Sequence, residues 1–327
     1  MGHLSRSAIL YSKFLDEGNK PVIFTKKDPN GEEFLEKRMM KVQILPTLGS
    51  IDDEIKYLLE QIAVNKTKLF VLDVLNYDKY HILLQNCKNN NVLSIVITDD
   101  SEKMDDINSD IVVNGNPSQL EYNYDYFPAK YLTGPRYFIM DQEYSCVENK
   151  YPNGKIKDIL VTLGGADQNN LLFNVLKALD ICCINVNIIV ITTISSGYIN
   201  KLNNFLLSLV NRSELYIDVM SLSHYWRRCD VAITAGGNSL FERIATRTPG
   251  VTICQLERQM KIAKYFEKLQ VNLNWGLGID INEEQLIECI RSFVDDSNEH
   301  LNQYLNAPKV TEGRGLYYLN QVLNNYY

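Results

Sequence analysis

Hydrophobic positions along this chain fall into two alternating arrangements. Short runs are apolar at nearly every position, as in Leu69–Val74 and Val92–Thr98. Between them lie stretches with the three-to-four-residue spacing of amphipathic helices. A run with no polar alternation describes a strand buried on both faces, which means a parallel sheet with helices on each side. In the first half the predicted strands are Pro21–Thr25, Val42–Leu45, Leu69–Val74, Val92–Thr98 and Ile111–Asn114. The turn formers of Tyr151-Pro-Asn-Gly-Lys155 mark a boundary. The pattern then restarts with strands Asp158–Leu163, Val186–Thr192, Leu215–Val219, Val231–Ala235 and Val251–Cys254, and the tail after Gln259 reads as largely helical. The predicted fold class is α/β, with two doubly wound Rossmann-like domains, residues 1–150 and 151–327, facing a cleft.

Composition narrows the function classes. The 327 residues carry 33 Lys+Arg against 40 Asp+Glu, a formal charge of −7. That balance supplies no global attraction to nucleic acid or to anionic lipid, so neither is an expected partner, and any anion site has to be built locally. No apolar run reaches the roughly 18–20 residues of a membrane span. The seven cysteines are scattered, with no CxxC pair and no Cys/His cluster at zinc spacing. Buried reduced thiols in a cytoplasmic protein fit this usage, and neither a metal nor an organic cofactor is expected.

In doubly wound folds ligands collect at the carboxyl ends of strands, where helix N-termini present free N–H groups. Two segments lie there, and a third is also a candidate. Gly164-Gly165-Ala166-Asp167 follows a predicted strand and opens a helix; it reads as a ligand turn or as a tight connection with Asp167 at the N-cap. Gly236-Gly237-Asn238-Ser239-Leu240 repeats the arrangement, and its amides suit a diphosphate. Glu242, expected on the first helical turn, can accept hydrogen bonds from both ribose hydroxyls or simply favour the helix macrodipole. The third, Gly2-His3-Leu4-Ser5-Arg6, opens a helical pattern with no strand before it in the chain; His3 reads as an ordinary surface residue or as an imidazole at the cleft suited to general-base work. Asp73, Asp99 and Asp100 end strands and serve as site carboxylates or as helix caps. His81, His224 and His300 read as structural, with His300 in a charged surface stretch.

These motifs, in this order, resemble the nucleotide-sugar hydrolases of pseudaminic acid biosynthesis, which act on UDP-2,4-diacetamido-2,4,6-trideoxy-β-L-altropyranose, and the related spore-coat polysaccharide biosynthesis proteins. The second half is similar to the N-acetylglucosaminyltransferase of peptidoglycan synthesis, and so to the GT-B architecture. Gly2–Arg6 resembles the family's G-x-G-H-x-x-R loop, Asp99-Asp100 its acidic pair, Gly164–Asp167 its G-G-S/T-D turn and Ser239–Glu242 its S-x-x-E element. Gln259–Ala263 resembles its N-Q-x-x-x-A helix start, and Glu312–Gly315 its terminal D-G-x-G turn.

The resemblance implies a UDP-sugar substrate with the nucleotide on the second domain. It makes His3 the base that activates water for inverting attack on the anomeric carbon, with Gly2, Arg6 and Asp73 beside it. The chain departs from the family in three places: Val74-Leu75 follows Asp73 where His-Tyr is usual, Arg258-Gln259 stands for Asn-Gln, and Asp141-Gln142-Glu143-Tyr144 stands for R-x-E-F. These positions are expected to face the sugar, which leaves a GT-B glycosyltransferase with a hydroxyl acceptor, or a nucleotide-sugar sensing module, as the competing functions. The family places a strand before the Gly-His loop, so the first domain is expected to lack its first strand here.

Overall fold

The structure is a computed structural model, and it describes residues 2–146, 151–152, 154–164, 171–183, 185–193 and 196–326. The chain divides into two compact units: Met1–Asp141 together with Arg314–Tyr327, and Gln142–Gly313. The first contains α1 (Gly2–Asp16), β1 (Ile23–Thr25), α2 (Pro29–Glu36), β2 (Val42–Ile44), α3 (Ile51–Val64), β3 (Leu69–Asp73), α4 (His81–Asn89), β4 (Leu93–Ile97), β5 (Ile111–Asn114) and β6 (Lys130–Thr133). The second runs through β7 (Asp158–Thr162), α5 (Leu171–Cys182), β8 (Asn187–Thr192), α6 (Ser196–Leu206), β9 (Arg212–Ile217), α7 (Ser223–Arg228), β10 (Val231–Thr234), α8 (Asn238–Ala245), β11 (Gly250–Cys254), α9 (Glu257–Lys268), β12 (Leu273–Leu277), α10 (Glu283–Asp295) and α11 (Ser297–Val310). The last helix, α12 (Gly315–Leu323), belongs to the first unit.

In the first unit, β3, β4, β5 and β6 form a parallel sheet in that order, and β1 pairs with β2 in a separate parallel pair. Strand β4 shows why its sequence has no polar alternation. Ile95 and Ile97 pack with Leu10 of α1 and with Leu316, Leu319 and Leu323 of α12. Val96 points the other way, into Ile55 and Leu58 of α3 and Leu83 and Leu84 of α4. Each fully buried side chain of this size stabilises by about 1.5–3 kcal/mol, so both helix layers are needed to hold the strand in place. Helix α3 starts where Ser50 accepts the Asp53 N–H, with Asp52, Asp53 and Glu54 in the favourable first turn.

The second unit holds one parallel sheet in the order β12-β11-β10-β7-β8-β9. The chain builds outward from β7 to β9, then returns to the other side of β7 and builds outward again through β10, β11 and β12. The reversal lies between β7 and β10, which pair directly, and it is the topological switch point at which doubly wound sheets bind ligands. One face of this sheet is covered by a cluster that includes Val161, Val190, Ile233 and Ile253 with Leu172 and Leu176 of α5 and Ile290 of α10.

Several expectations are corrected. The two units meet in sequence at Asp141/Gln142, ahead of the Tyr151–Lys155 turn, and the C-terminal helix returns to the first unit. Strands β6 and β12 were not expected: Lys130–Thr133 is only four residues long, and Leu273–Leu277 is only partly buried and contains Gly276 in place of a continuous apolar run. His300 is 5% exposed, with Nε2 against the Phe293 carbonyl at 2.8 Å, so its role is structural but not on the surface.

Behind α8 lies a buried guanidinium. Arg243 is fully buried and donates to Asn272 Oδ1 (2.7 Å) and the Thr248 carbonyl (3.0 Å), and more weakly to Gln303 Oε1 (3.4 Å). Burial pulls its pKa down to about 9. Gln303 Oε1 also accepts the Gly250 N–H at 2.8 Å, and so ties α11 to the start of β11. Gln303→Ala strands the Gly250 N–H and leaves Arg243 Nη1 with the Thr248 carbonyl alone. Its unfolding free energy in urea is expected to fall by about 1–3 kcal/mol; an unchanged midpoint and slope would contradict this role.

Candidate functional site

The first group of site residues is set by helix phase. α1 begins at Gly2, so His3 and Arg6 are three residues apart on one face at the helix N-terminus. That face meets the carboxyl ends of β3 and β4, neighbours in the sheet, where Asp73 closes β3 and Asp99 follows β4 by two residues. Arg6, 4% exposed, donates through Nε to Asp73 Oδ2 (3.0 Å), through Nη2 to Asp73 Oδ1 (2.8 Å) and through Nη1 to Asp99 Oδ1 (2.6 Å). His3 Nδ1 lies 2.5 Å from Asp73 Oδ1, and its side chain is 34% exposed.

Arg6 Nη2 also lies 3.0 Å from His3 Nδ1; because a carboxylate only accepts, the tautomer that serves the shorter contact, to Asp73, carries its proton on Nδ1 and its lone pair on Nε2. An imidazole held on a buried carboxylate has the geometry of the base-and-orienter pair of a catalytic triad. Burial of Asp73 pushes its pKa up, but hydrogen bonds from His3 and Arg6 and the guanidinium charge outweigh it, and the carboxyl stays below its usual range. Sequence reasoning did not foresee the neighbour of Asp100: burial of Tyr77 together with the Asp100 charge pushes the phenol up. Tyr77 is four residues past Asp73, in the segment after β3.

The second group stands at the switch point. Gly164, two residues past the end of β7, has φ +81°, a left-handed conformation that glycine adopts at least cost; Gly165 and Asp167 lie outside the described residues. At the end of β10, a Cβ on Gly236 would sit 2.7 Å from Cβ of Gln259, so the missing side chain is what lets the first turn of α9 pack against this turn. Gly237 is the N-cap of α8, and Asn238, Ser239 and Leu240 form its first turn, with Asn238 and Ser239 half-buried and Leu240 fully buried. Glu242 is therefore the fifth residue of α8, just beyond the first turn; it is half-buried, and its charge acts on Tyr144, whose pKa is raised by burial and by Glu242.

Gln259 Oε1 accepts the Gln255 N–H at 2.8 Å, whereas Arg258 is exposed on the first turn of α9. Gln255, which no motif singled out, donates through Nε2 to the Leu163 carbonyl and so ties the end of β11 to the residue before Gly164. Glu143 is also corrected. Its carboxylate accepts from Ser221 Oγ and, at 2.7 Å, from Ser223 Oγ, which pins the 142–146 turn to the start of α7. Among the described residues no group of three or more His, Cys, Asp or Glu is placed to hold a metal ion, and no helix is long and apolar enough to cross a membrane.

Asp73→Asn removes the charge that Arg6 is buried against, and only the half-exposed Asp99 remains. Stability at neutral pH is expected to fall by roughly 3 kcal/mol. Because the folded carboxyl is held low, its contribution is present above the ordinary aspartate range, near 4, and is lost as pH falls through the folded value. The difference between wild type and Asp73→Asn, measured by denaturant titration, therefore shrinks toward strong acid. A pH-independent difference would contradict the ion pair.

No protein-family model matches the chain. It is similar to the spore coat polysaccharide biosynthesis protein SpsG of Bacillus subtilis (strain 168), 25% identical over 335 residues covering 100% of this chain and 95% of SpsG. Among solved structures it is similar to MurG of Acinetobacter baumannii, with a TM-score of 0.72 at 8% identity, over 99% of this chain and 96% of that one. It is also similar to the spinosyn rhamnosyltransferase SpnG complexed with thymidine diphosphate, with a TM-score of 0.66 at 10% identity, over 97% and 96% of the two chains. Two Rossmann-like units with parallel sheets, matched end to end by such structures, make this an α/β protein of the GT-B fold.

Proposed function

We propose that the chain hydrolyses a UDP-activated amino or deoxy sugar to free sugar and UDP, in nonulosonic-acid or surface polysaccharide biosynthesis in the cytoplasm. The observation that carries the reading is the His3–Asp73 hydrogen bond, whose Nδ1–H tautomer leaves Nε2 as a base. Nε2 takes a proton from water as the oxygen attacks the anomeric carbon from the face opposite the nucleotide. The bond from that carbon to the diphosphate oxygen breaks, its electron pair leaves with UDP, and the configuration inverts. Asp73 stabilises the imidazolium formed, and Arg6 keeps Asp73 ionised and in place. Substrate contacts on this side are assigned to Gly2 and Arg6 with Asp73.

The nucleotide is assigned to the switch point of the second unit. The diphosphate is assigned to the turn of Gly236, Gly237, Asn238 and Ser239, which Leu240 closes by donating its N–H to the Gly237 carbonyl at 3.0 Å; Gly164, Gly165 and Asp167 are assigned to the same ligand, and Glu242 to the ribose. Arg258 and Gln259 are assigned to the sugar-nucleotide junction. The likeness to SpsG and to a chain holding thymidine diphosphate supports this ligand class. Amides and a helix N-terminus neutralise the leaving group, so the reading needs no metal.

A second reading, transfer to a hydroxyl acceptor, is favoured by the likeness to a rhamnosyltransferase. A panel of UDP-sugars, incubated with and without acceptor alcohols, separates the two. Hydrolysis predicts UDP release at the same rate in both, reduced about 10²–10⁴-fold in His3→Ala, the usual span of a general base. Acceptor-dependent release would establish transfer, and no release from any donor would refute both readings. Glu242→Ala is expected to weaken UDP binding tenfold or more, since hydrogen bonds to a charged acceptor contribute about 1.5–3 kcal/mol. Calorimetry giving wild-type affinity would remove the ribose assignment.

A further inference from the structure

We infer that the first unit carries a second binding site, for a neutral mono- or disaccharide, along the free edge of β6. Residues 122–131 read YNYDYFPAKY, five aromatic rings in ten positions leading into that strand. Tyr124 and Tyr131 stack with centroids 4.8 Å apart and planes 6° apart, and Phe127 leans on them at 6.2 and 5.4 Å. Their hydroxyls are engaged on the far side. That of Tyr124 accepts the Met104 N–H (3.1 Å) and donates to Gln119 Oε1, and that of Tyr131 accepts the Ile107 N–H (2.9 Å) and donates to the Asp105 carbonyl (2.8 Å). With both ends held, the rings form a preformed wall, so a ligand meets little ordering cost.

Strand β6 is the terminal strand of its sheet. The N–H groups of Lys130 and Gly134 donate to Asp110 and Asn114 on the β5 side. Alternation along the strand turns the N–H and C=O of Tyr131 and Thr133 outward, to the open edge. A cavity of about 530 Å³ lies there, within the roughly 300–1,000 Å³ of small-molecule sites. Besides Tyr131 and Thr133 it is lined by the rings of Tyr122 and Tyr326 and by Asn123, Asp125 and Lys130.

A pyranose matches that lining. Its C–H faces stack on aromatic rings, and its belt of hydroxyls donates to a carboxylate and strand-edge carbonyls and accepts from an amide, an ammonium and strand-edge N–H groups. A nucleoside diphosphate does not match: among the described residues lining the cavity Lys130 is the one basic side chain, and no glycine turn faces it. Nor does an added peptide strand, since the open edge offers the backbone of two residues. The site is separate from the His3 centre. β6 lies three strands from β3, about 14 Å at the usual interstrand spacing.

Saturation-transfer NMR and calorimetry on the full chain with chitobiose, lactose and maltose test the site. At least one sugar is expected to bind, with affinity reduced tenfold or more in Asp125→Ala and in Tyr326→Ala. Both positions are exposed, so the fold is retained, and circular dichroism checks it. Binding by His3→Ala is expected to match wild type. Failure of all three sugars to bind, wild-type affinity in both edge variants, or binding lost only in His3→Ala would overturn the assignment.

Discussion

The first unit depends on one shared carboxylate. Asp73 accepts from Arg6 twice and from His3 once, at the end of a strand and 6% exposed. Without those donors a charge at this depth would cost several kcal/mol; with them it locks the start of α1 to the ends of β3 and β4. Under the proposed function stability and chemistry rest on the same atoms, because the contacts that seat the helix also orient the imidazole. The cost of burying the group explains the arginine, because an exposed aspartate could hold a histidine without a guanidinium behind it.

In the second unit the organising constraint is topological. The reversal of strand order between β7 and β10 leaves two adjacent strand ends from which the chain departs in different directions. Gly164 and Gly236 sit at those two ends, one for its left-handed backbone and one for the close approach of α9. Gln255 bridges the end of β11 to that of β7. The turns therefore sit on a rigid base, and the amides opening α8 are held in register beside them. Under the proposed function backbone amides, and not bulk charge, supply the anion site of this acidic chain.

Much of this was legible in the residues. Two-sided apolar runs announced parallel sheets, and Asp73, Asp99, Gly164 and Gly236 stand at or just past strand ends, as their sequence positions indicated. What sequence could not show were pairings across long separations. That Arg6 reaches both Asp73 and Asp99, that Glu143 is taken up by Ser221 and Ser223, and that α12 packs on the first sheet are consequences of folding, not of local pattern. Strand β6 escaped notice because a four-residue edge strand preceded by a tyrosine-rich loop has neither period nor uniform apolarity. Gly165 and Asp167 lie outside the described residues.

The proposed chemistry rests on His3 delivering water to the anomeric carbon. Turnover of a UDP-sugar in ¹⁸O-water, followed by mass spectrometry of both products, tests that claim most directly. The account predicts one ¹⁸O in the free sugar from the first turnover, none in UDP, and loss of the labelled product in His3→Gln. Label found in UDP would mean attack at phosphorus, and unaltered labelling in His3→Gln would mean a different base; either result contradicts the account.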